Sequence, residues 1–105
     1  MGRGARMRPE RLPKKIAQIR LALGDTQEGM ARRLGFPEIT REYVSGFERG
    51  TREPPLPVLL RIADIAGVYV DVLIDDEVSL PEALPAHPKS TGIKMPMKPR
   101  KKSSG

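Results

Sequence analysis

The sequence predicts an all-α fold, a compact bundle of five short helices between two basic ends. Apolar residues recur three or four positions apart, the spacing of one helix face, in successive stretches between residues 12 and 74. A glycine follows each of the first four stretches, and glycine is common just past the end of a helix. A chain of 105 residues supports one domain with a small core.

Composition narrows the class of protein. With no tryptophan, two tyrosines and two phenylalanines, aliphatic side chains must fill the core. The absence of cysteine excludes a disulfide framework and a thiolate metal site. No stretch approaches the roughly 18 consecutive apolar residues of a membrane helix, and the N-terminus lacks the apolar segment of a secretion signal. We therefore expect a cytoplasmic protein without a metal or cofactor.

Charge is concentrated at the two ends. Residues 1–15 carry six basic side chains and one acidic one, and residues 87–105 carry six basic side chains and no acidic one. Because the net charge of the chain is +6, residues 16–86 must be net acidic. Basic arms on an acidic body indicate a polyanionic partner that the ends approach. For the C-terminal end, solubility alone is the alternative.

The first predicted helix begins at Leu12 and ends at Gly24. Its apolar stripe consists of Ile16, Ile19 and Leu23. Its solvent side is expected to carry three polar residues, Lys14, Lys15 and Gln18.

The second predicted helix runs from Gln27 to about Leu34. Thr26 is its predicted N-cap, because a threonine hydroxyl can accept from a free N–H of the first turn. Gly35 ends the helix. The inner stripe consists of Met30, Ala31 and Leu34, while Arg32 and Arg33 face water.

A turn over residues 36–39 precedes the third predicted helix, which runs from Thr40, as N-cap, to about Arg49. Pro37 prevents one continuous helix, because its ring blocks the preceding turn and it has no N–H. Alternatively, Pro37 is the first residue of a longer third helix. In either case Val44 and Phe47 point inward, and Gly50 closes the helix.

The fourth predicted helix has the strongest apolar stripe, and a fifth, short helix follows near residues 70–74. The stripe is expected in the core rather than around a ligand pocket: Leu56, Leu59, Leu60, Ile62, Ala63 and Ala66. Beyond it, Leu80 and Leu84 are expected to hold a docking strap or linker, residues 77–86. The predicted organisation is therefore a flexible basic arm (1–11), a helical domain (12–76), this strap, and a disordered basic tail (87–105).

Three motifs in this order resemble the Cro and lambdoid-repressor family of helix-turn-helix domains, also called the XRE family. They are T-Q-x-x-M-A-x-x-L-G from Thr26, V-S-x-F-E-x-G from Val44, and L-L-x-I-A from Leu59 with Pro55 before it. The resemblance covers about residues 12–74. The family usually has a shorter stretch before the position of Val44, so this chain carries about three extra residues within 36–39.

The resemblance implies a five-helix fold of lambda-repressor-like type that binds double-stranded DNA. The third helix would lie in the major groove and the second would cross the backbone, as in the phage repressors. The candidate base contacts are Thr40, Arg41, Glu42, Tyr43 and Ser45. Arg41 is the strongest, because a guanidinium can donate two hydrogen bonds to guanine. The candidate phosphate contacts are Gln27, Arg49 and Arg52. For each of these residues, a solvated helix surface is the alternative.

The resemblance also implies a structural salt bridge between Arg20 and Glu48, which ties the first helix to the third. Members of the family often dimerise through their last helices, so the exposed part of residues 68–74 is a candidate homodimer face. The arginines of the N-terminal arm are candidates for the DNA backbone or the minor groove.

The implied function is that of a sequence-specific transcriptional regulator, a repressor, in the cytoplasm at the nucleoid. The alternative is an antitoxin-like or adaptor module, in which the C-terminal segment, residues 75–105, binds a protein partner. An enzyme is not expected, because the chain has no glycine-rich phosphate cradle and no nucleophile beside a histidine. The adjacent acids Asp75, Asp76 and Glu77 are interpreted as a solvated helix end rather than a metal site.

Overall fold

The computed structural model describes residues 7–86, and within this range it contains five helices and no extended strand. The helices are α1 (Leu12–Leu23), α2 (Gln27–Leu34), α3 (Arg41–Arg49), α4 (Leu56–Ala66) and α5 (Val70–Ile74). The predicted all-α fold with five short helices is therefore confirmed.

The start and the end of α2 both follow from its local sequence. The Thr26 hydroxyl accepts a hydrogen bond from the backbone N–H of Gly29, with an N···O distance of 2.9 Å, and so caps α2. Gly35 ends α2 with φ of +82°, a conformation that a residue with a Cβ adopts only with strain. The chain can therefore turn sharply towards α3.

One core joins all five helices. α3 packs against both α1 and α2, while α4 packs against α2 and α5. The central side chains are almost fully buried: Ile16, Ile19, Met30, Val44, Phe47, Ile62, Val68, Val72 and Leu73. One side of α3 is consequently fixed in the core, and the other side is left at the surface.

Residues 36–39 form a turn of their own rather than the first turn of α3. The Ile39 N–H donates to the Phe36 carbonyl at 2.9 Å, and the Ile39 side chain is only 6% exposed. Thr40 then occupies the N-cap position, although its hydroxyl accepts no backbone N–H there. Residues 36–39 thus belong to the turn, and the alternative that begins the third helix at Pro37 is not observed.

Lys15 lies in the core, and its predicted solvent position is wrong. Its side chain is 1% exposed, and its Nζ donates to the carbonyls of Val72, at 2.6 Å, and Asp75, at 3.0 Å. Position 15 lies four residues before Ile19 and shares its inward side. The last carbonyls of α5 lack hydrogen-bond donors within their own helix, and the Lys15 ammonium donates to them instead.

The predicted burial of Leu56 and Leu60 is also wrong. Leu56 is 79% exposed and Leu60 is 52% exposed, whereas Val58 is buried. The buried side of α4 runs through Val58, Leu59, Ile62, Ala63 and Ala66. Leu56 and Leu60, one turn apart, therefore share a different side of the helix that no other described element covers.

The described part of the N-terminal arm lies against the domain. The Arg8 guanidinium donates to the Gly50 carbonyl at 3.1 Å and forms an ion pair with Glu53, also at 3.1 Å. The backbone N–H groups of Glu10 and Arg11 donate to the Asp76 carboxylate at 2.9 and 3.0 Å, which caps the start of α1. Residues 1–6 of the predicted flexible arm lie outside the described residues.

The strap, residues 77–86, packs on the core. Leu80 and Leu84, the predicted anchors of the strap, are half-buried. Val78 and Ala86 are buried more deeply. The Ala86 N–H donates to the Ala66 carbonyl at 2.8 Å. Gly67 permits this approach, because a Cβ at that position would collide with the Ala86 carbonyl. The predicted disordered tail, residues 87–105, lies outside the described residues.

Candidate nucleic-acid interface

The surface side of α3 carries most of the candidate base contacts. Val44 and Phe47 are each 1% exposed and fix the inner side of this amphipathic helix. The opposite side, here called the α3 outer face, consists of Arg41, Glu42, Ser45 and Arg49. Three of these side chains are exposed and Ser45 is half-buried. The core thus positions a polar helix surface that is accessible to a partner.

Thr40, Arg41 and Glu42 form one polar cluster at the start of α3. The pKa of Glu42 is lowered, first by its own backbone N–H, then by the Thr40 hydroxyl, and then by the positive charge of Arg41. Arg41 Nη2 lies 3.2 Å from a carboxylate oxygen of Glu42. The two side chains are 57% and 69% exposed, so water screens this ion pair and it contributes little stability. Arg41 can consequently exchange Glu42 for another acceptor at low cost.

Tyr43 does not belong to this cluster. It is half-buried, and its ring meets the Phe47 ring edge-to-face with centroids 6.4 Å apart. The guanidinium carbon of Arg52 lies 4.1 Å from the centroid of the Tyr43 ring. Tyr43, a candidate base contact, and Arg52, a candidate phosphate contact, are therefore in contact with each other.

The other phosphate candidates both lie near the C-terminal end of α3. Arg49 is exposed in its last turn, where its Nε donates to the Ser45 carbonyl at 3.4 Å. Gln27 is the first residue of α2, and its amide nitrogen donates to a carboxylate oxygen of Glu48 at 3.1 Å. Gln27 is half-buried beside the N–H groups at the start of α2, which favour an anion.

Glu48 links three helices through this same carboxylate. Nε of Arg20 in α1 donates to it at 2.7 Å and Nη2 at 3.1 Å. The Glu48 side chain is 8% exposed and that of Arg20 is 17% exposed. The hydrogen bond with Glu48 is the main cause that raises the pKa of Arg20. With Gln27 as the third partner, Glu48 fixes α1, α2 and α3 relative to one another.

A cleft of about 670 Å³ lies between α2 and the start of α3, beside the turn of residues 36–39. Arg32 of α2, Pro37 of the turn and Arg41 of α3 are among its lining residues. Sequence reasoning did not select Arg32 as a site residue, because exposure on α2 alone does not show that it shares a cleft with Arg41. It also did not anticipate that the Arg52 side chain lies where a Cβ on Gly46 would meet it, although a glycine in the middle of a helix often has a packing reason.

The helix-turn-helix family matches residues 16–73, which is more than half of the chain. The chain belongs to this family, the XRE type that includes the lambda Cro and repressor proteins. Membership shows a general role in DNA-binding transcription regulation. A comparison with curated proteins and one with solved structures each find no match.

Three further features of the helix-turn-helix domain concern metal ions, membranes and a protein partner. Among residues 7–86, no three His, Cys, Asp or Glu side chains group so that they could hold a metal ion. None of the five described helices has the length and apolar character to cross a membrane. Residues 78–86 belong to the segment that an adaptor would use for a partner, and here Val78 and Ala86 are buried in the domain itself.

Proposed function

We propose that the protein is a sequence-specific regulator that binds double-stranded DNA, with α3 in the major groove and α2 across the backbone. The observation that carries the proposal is the α3 outer face, polar and exposed on a helix whose other side is fixed in the core. A major groove about 12 Å wide admits one α-helix. The Arg20–Glu48–Gln27 network supports the proposal, because it holds α2 and α3 at a fixed relative orientation.

Base reading is assigned to the start of α3. Arg41 leaves Glu42 and donates two hydrogen bonds to O6 and N7 of a guanine. The ionised Glu42 carboxylate then accepts from a cytosine amino group, and repels phosphate where no such group is present. Thr40 and Ser45 provide hydroxyls that pair with either kind of base edge.

Phosphate contacts are assigned to Gln27, Arg49 and Arg52. Gln27 lies at the N-terminus of α2, where free N–H groups and the helix dipole attract an anion. Arg49 is the last residue of α3, and Arg52 lies three residues beyond it. Such contacts set the register of the domain on the duplex, and base contacts on α3 then supply the specificity.

A homodimer is the proposed binding unit. Leu56 and Ile74, 79% and 43% exposed, line a groove of about 480 Å³ together with Met7. A second copy would cover these apolar side chains, and the pair would read two half-sites about 34 Å apart. Sedimentation tests this assignment: Leu56→Asp should shift a dimer to a monomer that keeps its helical circular dichroism spectrum. A wild-type protein that is monomeric at all concentrations, with and without DNA, contradicts it.

Repression is the proposed mode of regulation. A domain that occupies DNA excludes other proteins from the same site, and this outcome needs no chemistry beyond binding. The test places the preferred DNA site over a promoter that drives a reporter. Lower reporter output with wild-type protein, relieved by Arg41→Ala, supports repression, whereas higher output indicates activation.

Selection from a pool of random duplexes tests the DNA-binding proposal itself. We expect enrichment of one motif with two-fold related halves, and protection of that motif in footprinting. Failure to enrich any motif, with footprints no stronger than those on random DNA, contradicts sequence-specific binding. Capture of one stoichiometric protein partner, with no DNA preference, would instead favour the adaptor function.

A further inference from the structure

We propose that Gly46 and Tyr43 are positioning residues that hold the Arg52 guanidinium in place for a DNA phosphate. This inference rests on the proposed DNA binding and adds a cause for the geometry of one contact. Neither residue touches DNA in this account, so Tyr43 is assigned to positioning rather than to base contact.

Gly46 leaves the space that the Arg52 side chain occupies. Gly46 is buried within α3, and a Cβ built on it would lie 2.9 Å from Cδ and 3.0 Å from Cγ of Arg52. Real Cβ atoms essentially never approach another heavy atom so closely. The Arg52 chain therefore runs directly across the surface of α3 at this glycine, and any larger residue would displace it.

The backbone after α3 fixes the starting point of that side chain. The N–H groups of Thr51 and Arg52 both donate to the Gly46 carbonyl, at 3.0 and 3.2 Å. The Cα of Arg52 is thus tied to the same residue that its side chain crosses. The guanidinium can then reach only a limited region beside the α3 outer face.

Tyr43 holds the far end of the side chain. The guanidinium carbon lies 4.1 Å from the ring centroid, within the range of a cation–π contact. The ring is itself held by its edge-to-face contact with Phe47, which is fully buried. Stacking uses the flat face of the guanidinium, so the N–H groups along its edge remain available for a second partner.

The arrangement suits a phosphate. A guanidinium fork matches the two oxygens of a phosphate, and a side chain that is already ordered loses less conformational entropy when it binds. Arg52 is exposed, and its acidic neighbour Glu53 is paired with Arg8. The stacking on Tyr43 therefore presents the positive charge to solvent in one orientation.

The test compares Gly46→Ala, Arg52→Ala and the double variant with wild-type protein on the selected duplex. Each single variant should bind about tenfold more weakly. Each should also reduce the slope of log affinity against log salt by about 0.9 for each bound protomer, the value for one lost phosphate contact. The double variant should be no weaker than either single variant, because both changes remove the same contact. The melting temperature of Gly46→Ala should equal or exceed that of wild type, because alanine favours a helix more than glycine does.

Two Tyr43 variants provide the matched pair. Tyr43→Phe keeps the ring and should keep wild-type affinity, whereas Tyr43→Leu loses the stacking and should weaken binding about threefold. Equal losses in both variants would show that the hydroxyl acts directly, and would overturn the positioning role. This pair also retains the test if Gly46→Ala fails to fold.

Two further outcomes overturn the inference while leaving the proposed function intact. One is a Gly46→Ala variant with wild-type affinity and salt slope. The other is an Arg52→Ala variant that binds as tightly as wild type. A wild-type protein that selects no duplex would instead refute the DNA-binding proposal itself, so the two failures are distinguishable.

Discussion

At the scale of single residues, the contacts predict that loss of the Glu48 carboxylate has the largest effect on stability. It accepts three hydrogen bonds, two from Arg20 and one from Gln27, and its side chain is 8% exposed. Glu48→Ala leaves the Arg20 charge without its partner in a partly buried site, which costs about 3–5 kcal/mol. We expect the melting temperature to fall by at least about 12 °C, and DNA affinity to fall with it.

Glu42→Ala is the control for this prediction. Its carboxylate lies on the same helix but is 69% exposed, so the melting temperature should change little. Thermal unfolding followed by circular dichroism measures both variants. A Glu48→Ala protein that keeps its melting temperature but loses DNA binding would show that Glu48 acts at the interface instead.

Asp76 should make the free energy of unfolding depend on pH in the acidic range. The backbone N–H groups of Glu10 and then Arg11 are the main causes that lower the pKa of Asp76 in the folded protein. A depressed pKa adds stability above the ordinary value of about 4, and this contribution disappears as the pH falls below it. The difference in unfolding free energy between wild type and Asp76→Asn should therefore shrink between pH 7 and pH 3. Urea titrations at the two pH values measure it, and a constant difference would contradict the capping role.

The burial of Lys15 is an example of a side-chain position that the sequence could not predict. A lysine next to an apolar stripe is usually solvated, and nothing local shows that the end of α5 lies beside it. Only the tertiary arrangement brings the Val72 and Asp75 carbonyls within reach of its ammonium. The ion-pairing residues Arg20 and Glu48 were selected from a family resemblance, because a separation of 28 positions carries no local signal.

At the scale of elements, the turn of residues 36–39 depends on one apolar side chain. Ile39 is 6% exposed, and its N–H closes the turn on Phe36. Ile39→Ala should lower the free energy of unfolding by about 2–5 kcal/mol through lost apolar contacts and a cavity. Glu38→Ala, in the same turn but exposed, should cost less than about 0.5 kcal/mol. Chemical denaturation measures both, and equal costs would mean that Ile39 does not hold the turn.

The helices themselves could be predicted, because their signals are local. Thr26 as N-cap, Gly35 as helix end and the stripe of Met30, Ala31 and Leu34 in α2 all follow from neighbouring residues. The start of α3 could not be decided in this way, since a turn and a longer helix both satisfy the rules for Pro37. The packing of Ile39 in the core decides it. The exposed side of α4 was missed for the same reason, because the position of its neighbours determines which stripe is buried.

At the scale of the whole molecule, the charge distribution predicts a contribution from the N-terminal arm. Arg8 and Arg11 contact the domain, which leaves Arg3 and Arg6 as the arm's candidates for DNA. Removing residues 1–6 should therefore reduce the salt slope of DNA binding by up to about 1.8 for each bound protomer, or about 0.9 per lost phosphate contact. The melting temperature should not change. Fluorescence anisotropy across a salt series measures the slope, and an unchanged slope would remove the arm from the interface.

The fold of the whole domain was more predictable than its interface. Motifs in α2, α3 and α4 indicated the family, but they do not show which side chains are held by the domain. Tyr43 remains a predicted base contact, and the sequence did not indicate that its ring contacts both Phe47 and Arg52. Sequence spacing indicated neither the pairing of Arg41 with Glu42, because adjacent side chains on a helix do not normally face each other, nor the contact of Arg52 with Gly46.

The most direct measurement of the central claim repeats the random-duplex selection with Arg41→Ala. If α3 reads base edges in the major groove, the variant should select the wild-type motif with one guanine position relaxed in each half-site, at a cost of about 1–3 kcal/mol per position. Its melting temperature should match that of wild type, because Arg41 is exposed. An unchanged motif with unchanged affinity would contradict the account and move base reading away from α3.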